Sequence, residues 1–116
     1  MKRSPKEILD DLISLLEKVI PMLERDQNSE WPRYFIGFLE DANKIANHGY
    51  EEASVRDLCS SIRSMYMGKG PFTDYAPMVI DPKTGLHAAI PGTESYDHVS
   101  RKICDTADEI RIVGSY

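Results

Sequence analysis

Two cysteines, Cys59 and Cys104, and three histidines, His48, His87 and His98, are all the thiol and imidazole groups the chain offers. A disulfide framework needs more bridges than one pair can make. With no secretion signal in view, the expectation is two reduced, packed thiols, with a single disulfide still open if the pair lies adjacent in space. The histidines are scattered and form no HxxxH or HExxH pair, so no metal and no cofactor is expected. His98 and Asp105 sit seven apart, a spacing that suits a surface pair on one helical face better than a ligand set. Positive charge is also in deficit, with 14 Lys and Arg against 19 Asp and Glu, a net charge of −5 and a pI near 5.1. That balance excludes binding nucleic acid through a basic surface, which needs clustered cations to displace phosphate counterions. No apolar run reaches the roughly 18 residues of a membrane span. The basic start Met1-Lys2-Arg3 meets Glu7, Asp10 and Asp11 where an export signal would be continuously apolar, so a cytoplasmic location is expected.

What is present is ordinary globular composition, 41% hydrophobic and 28% charged over 116 residues, which fits a single domain spanning 1–116. Ser4-Pro5-Lys6-Glu7 has the form of a capping box with proline at the first helical position, so a helix should begin at about Pro5. Its apolar residues Ile8, Leu9, Leu12, Ile13, Leu16, Val19, Ile20 and Leu23 recur at three- and four-residue spacing, and Pro21 predicts a kink or a break. Ser29 is the expected cap of a second helix with Pro32 in its opening turn. That helix carries the densest aromatic stripe, Trp31, Tyr34, Phe35, Phe38, Leu39, Ala42, Ile45 and Ala46, and is expected at the centre of the core. Gly49 should end it in a left-handed conformation.

Ser54 is the expected cap of a third helix bearing Val55, Leu58, Cys59, Ile62, Met65 and Tyr66. After it, Met78-Val79-Ile80 and Leu86 to Ile90 flank the turn-rich Asp81-Pro82-Lys83-Thr84-Gly85, which predicts a short hairpin or a packed loop. A last helix should bury Tyr96, Val99, Ile103, Ala107 and Ile110 and fray near Val113-Gly114. The fold class is therefore mainly α: a compact bundle of about four helices with a long loop or short β-hairpin between the third and fourth.

The stretch from Met65 to Tyr75 organises this plan. Gly68 and Gly70 free the backbone, Pro71 fixes its direction, Phe72 anchors it, and Asp74 reads as a turn residue bonding nearby N–H groups. Gly68-Lys69-Gly70 is a poor phosphate loop, because Gly70 follows the lysine where Ser or Thr is needed and a helix enters where a strand should. Asp74 and His87 could pair in a pocket under the 68–93 segment, which makes a small enzyme or ligand-binding protein the alternative reading. No G-x-S-x-G elbow marks a nucleophile, and neither cysteine has a local activating histidine, so the main expectation is a protein that is not an enzyme.

The remaining signal is acidic. Asp10-Asp11 and the group Asp105, Asp108 and Glu109 read as solvated helix faces. Glu40, Asp41, Glu51 and Glu52 flank the end of the second helix and the connection after it, where an acidic patch would favour a cationic partner.

The segment from Ser64 to Asp74 resembles a family of small bacterial helical proteins in which a helix runs into a Gly-rich Y-x-G-x-G-x-F-x-D-type loop. Tyr66, Gly68, Gly70, Phe72 and Asp74 match loosely, whereas Met67, Lys69, Pro71 and Thr73 depart from it. The resemblance covers the first three helices and the loop. It implies a small helical domain without established activity, similar in kind to immunity proteins that neutralise toxins. The expectation is then an antitoxin-like protein that binds a cognate toxin domain and occludes its active or substrate-binding surface. Glu40, Asp41, Glu51, Glu52 and Lys69 would make the contacts, and self-pairing as a homodimer is a further expectation.

Overall fold

Ser4 opens the first helix as its sequence predicts. Its Oγ accepts from the Glu7 backbone N–H at 3.2 Å, and its own N–H donates to Glu7 Oε1 at 3.2 Å, so two otherwise orphaned donors are satisfied together. A computed structural model of the chain describes residues 4–26, 29–67, 77–80 and 82–110, without the side chains of Met67, Val79, Ile80 and His87. Helix α1 spans Pro5–Glu24 and buries Ile8, Leu9, Leu12, Leu15, Leu16, Val19, Ile20 and Leu23 on one stripe. Burying each such side chain is worth about 1.5–3 kcal/mol relative to exposure. Pro21 does not break the helix. It lies on the exposed side, and the buried neighbours Ile20 and Leu23 hold the chain helical around it.

Helix α2 spans Trp31–Asn47. Ser29 Oγ accepts from the Trp31 N–H at 3.2 Å, so the expected cap acts from one residue before the formal cap position, and Pro32 occupies the first turn. At its other end Gly49 takes φ +89° and the Tyr50 N–H donates to Ile45 O at 3.1 Å, the six-to-one bond of a Schellman ending. The expectation that this aromatic helix forms the centre of the core is wrong. Only Phe35 and Ala42 of its stripe are buried, and Tyr34 is 45% exposed. The centre is α1, which packs on α2, on α4 and more lightly on α3.

Helix α3 spans Glu52–Met67, two residues ahead of the predicted cap. The Val55 N–H donates to Glu51 O at 3.1 Å, which places Ser54 inside the first turn. Val55, Leu58, Cys59 and Ile62 are buried. Strands β1, Met78–Ile80, and β2, His87–Ala89, form the predicted antiparallel hairpin, with Met78 opposite Ala89 and Ile80 opposite His87. Thr93 turns the chain into the last helix: its Oγ1 donates to Ile90 O at 2.6 Å, and its carbonyl accepts from the Tyr96 N–H at 3.0 Å.

Helix α4 spans Tyr96–Asp108, and Tyr96, Val99, Ile103, Ala107 and Ile110 are buried as their spacing predicts. It runs antiparallel to α3. Arg56 Nη1 donates to Ile110 O at 3.3 Å, and the Tyr66 hydroxyl meets Ser100 Oγ at 3.1 Å. The architecture is a mainly α bundle of four helices among the described residues, with a two-stranded hairpin between α3 and α4. None of the described helices is long and apolar enough to cross a membrane. The predicted loop residues Gly68, Gly70, Phe72 and Asp74, and the fraying point at Val113-Gly114, lie outside the described residues.

Candidate functional site

Along α2, Asp41, Lys44, Ile45 and His48 fall at intervals of three, four and seven, so they share one face. Glu51, Ser54, Asp57, Leu58 and Ser61 do the same at the start of α3. The tight α2–α3 connection turns these two faces toward one groove. One end of it, about 510 Å³, is lined by Lys44, Ile45, His48, Glu51 and Ser54. The adjoining part, about 320 Å³, shares Lys44, Ile45 and Ser54 and adds Asp41, Asp57, Leu58 and Ser61.

The connection is tied to α1. Tyr50 sits at φ +60°, an uncommon conformation for an aromatic residue. Its hydroxyl donates to Asp10 Oδ1 at 2.7 Å, and Lys6 Nζ lies 5.5 Å from its ring centroid, so both restraints come from α1. The bond to Asp10, followed by desolvation and the Asp10 charge, holds the Tyr50 phenol above the usual tyrosine range.

Of the four carboxylates expected at a partner surface, Asp41, on α2, and Glu51, the residue that precedes α3, line the two adjoining parts of the groove. Glu40 and Glu52 are exposed beside it, and Glu52 is engaged by Arg56 at 3.5 Å within α3. Asp57 completes the acidic lining and was not singled out by sequence. Asp41, Glu51 and Asp57 have no ion-pair partner among the described residues, and Lys44 is the one lysine or arginine facing them there. Lys69, the fifth expected contact, lies outside the described residues.

The hairpin offers a poorer site. The described part of the pocket under it, lined by Pro77, Met78, Ala89, Thr93 and Glu94 among others, measures about 110 Å³, below the several hundred Å³ of ordinary ligand clefts. Asp74 and the His87 side chain, the polar pair expected there, lie outside what the structure describes. Glu94 is held below the usual carboxylate range by backbone N–H groups, its own and that of Gly92 at 3.1 Å, with Arg25 adding positive charge. Those bonds cap a turn and leave it no evident base role.

Both cysteines are free thiols. Burial pushes Cys59 up to about 11 against the opposing charges of Arg63 and Arg56, and Cys104 is raised by desolvation and by Asp105 and Asp108. Neither is an activated nucleophile. No group of three His, Cys, Asp or Glu that could hold a metal occurs among the described residues. No protein-family model matches the chain, and neither the curated proteins nor the solved structures contain a significant match to it.

Proposed function

We propose that this protein is an immunity or antitoxin-like binding module, which neutralises a cognate toxin domain by covering its active or substrate-binding surface through the α2–α3 face. The observation that carries this is the placement of Asp41, on α2, and Glu51, just before α3, along one groove whose flanks add Glu40 and Glu52. Carboxylates such as Asp41 and Glu51, with no ion-pair partner among the described residues, speed encounter with a basic surface and favour it over neutral or acidic ones. A rigid helical wall suits a steric inhibitor, because little conformational entropy is lost on docking. The action is occlusion, with no bond made or broken by this chain.

The test is growth rescue. The product of each reading frame adjoining this gene is expressed in bacterial cells with and without the protein, and any complex with a growth-arresting product is isolated by size exclusion. Rescue with a one-to-one complex is the expected result. Charge reversal at Asp41 and Glu51 should then abolish rescue while leaving the helical circular dichroism unchanged. A wild-type protein that neither rescues nor binds would overturn the proposal.

A further inference from the structure

We infer that the α2–α3 groove receives one arginine or lysine side chain from a short apolar segment of the partner. Its aliphatic stem lies along Ile45 and Leu58, and its cationic head sits between Asp41 and Asp57. This rests on the function proposed above and narrows it to a single side-chain chemistry.

Asp41 and Asp57 stand on facing helices in the same part of the groove, with Leu58 buried at its base and Ile45 half-buried beside it. Both carboxylates lack an ion-pair partner among the described residues, so a cation placed between them gains charge-assisted hydrogen bonds from two helices. Long basic side chains also carry an apolar stem that covers aliphatic surface while the head stays polar. The site therefore matches both halves of such a side chain.

Other occupants fit less well. A metal ion would find too few donors in range, since no group of three ligating side chains forms among the described residues. An anion would meet three carboxylates against the one ammonium of Lys44. A second copy of this chain brings its own net charge of −5 to an acidic face. The groove is also longer than one side chain: Asp41 to His48 spans about 10 Å of helix at 1.5 Å per residue, room for three or four residues of an extended segment.

Lys44 then acts as a specificity residue. Its ammonium shares the groove with the incoming cation and opposes it, so Lys44→Met, which keeps the stem and removes the charge, should tighten binding.

The experiment is a titration of the isotope-labelled protein, followed by amide chemical shifts, with acetyl-Ser-Leu-Arg-Leu-Ser-amide. The same peptide with citrulline in place of arginine, uncharged and nearly isosteric, is the comparison. Saturable shifts at Ile45, Ser54 and Leu58 with the arginine peptide are expected, with binding about three- to fivefold weaker for citrulline, for Asp41→Asn and for Asp57→Asn. Asp105→Asn, on α4 and away from the groove, should leave the affinity unchanged, and Lys44→Met should raise it. Equal binding of both peptides, no binding by either at millimolar concentration, shifts on another face, or equal weakening by Asp105→Asn would each overturn the inference. So would groove shifts that appear with protein concentration alone, which would assign the face to a second copy. The titration contains no toxin, so its failure is separable from failure of the proposed function: growth rescue that survives Asp41→Asn with Asp57→Asn sinks the groove inference only.

Discussion

The Tyr50 hydroxyl donates to Asp10 Oδ1 at 2.7 Å across 40 residues of sequence, and this bond fastens the α2–α3 connection to α1. The groove inherits its shape from that connection. The bond needs the phenol protonated, and ionisation would set a phenolate against a carboxylate. The folded-state pKa is therefore raised, so the contribution is complete below the ordinary tyrosine value of 10.0 and is lost as pH rises beyond it. Among the six tyrosines, Tyr50 and the buried Tyr66 should both ionise late in an absorbance titration, and Asp10→Asn should move only Tyr50 back toward the ordinary range. A titration curve identical in the two proteins would show that the bond is not maintained in solution.

Gly92 predicts a cost of a different origin. It holds φ +91°, and a Cβ built there would come 2.7 Å from Arg25 Cζ. The Arg25 guanidinium ends a flexible side chain and can move, whereas the left-handed backbone cannot be relieved. Gly92→Ala should therefore lower stability by about 1–2 kcal/mol. Arg25→Ala in the same background should restore little of it, as read from urea unfolding midpoints.

Gly37 has the opposite sign. It lies inside α2, and apart from its chain neighbours and its own helix backbone no described atom comes within 4 Å of the place its Cβ would occupy. Gly37→Ala should stabilise the protein by about 0.5–1 kcal/mol, through backbone entropy and helix propensity alone. A lower melting temperature for the variant would mean that the space is filled in solution.

Cys59 carries the alkaline prediction. Burial raises its pKa from 9.0 to about 11, so the folded state retains the proton that the unfolded chain releases. Stability from this source is intact below pH 9 and falls as pH rises toward 11. Between pH 8 and 10.5 the wild type should lose about 2 kcal/mol more than Cys59→Ala, because each pH step of one above 9 costs roughly 1.4 kcal/mol. Native alkylation at pH 8 should reach the half-buried Cys104 first.

Much of the fold was legible in local chemistry. The Ser4 and Glu7 cap, the apolar face of α4 and the left-handed Gly49 all follow from groups close in sequence, where few alternatives compete. The rank of the helices was not legible, because periodicity marks an apolar face without saying how many neighbours cover it. The stripe of α2 is more aromatic, yet that of α1 is touched from three sides. The start of α3 was misplaced because Ser54 is a sound cap in isolation, while the turn at Gly49 and Tyr50 commits the backbone three residues earlier, with Glu51 at the cap position. Asp41 and Glu51 were visible as acids near a helix end. Asp57 was not, since its approach to Asp41 depends on the register between two helices that only the folded connection sets.

The contact of α1 with α4 has a kinetic meaning. These helices are separated by more than seventy residues of chain, and each buries its apolar face partly on the other. A growing chain that has emitted only α1 to α3 leaves the α4-facing side of that stripe in water. Loop-closure entropy makes so distant a pairing slow to form by chance. The bundle therefore closes late, when Tyr96–Asp108 arrives, and until then its most apolar helix is the part of the chain most in need of a chaperone.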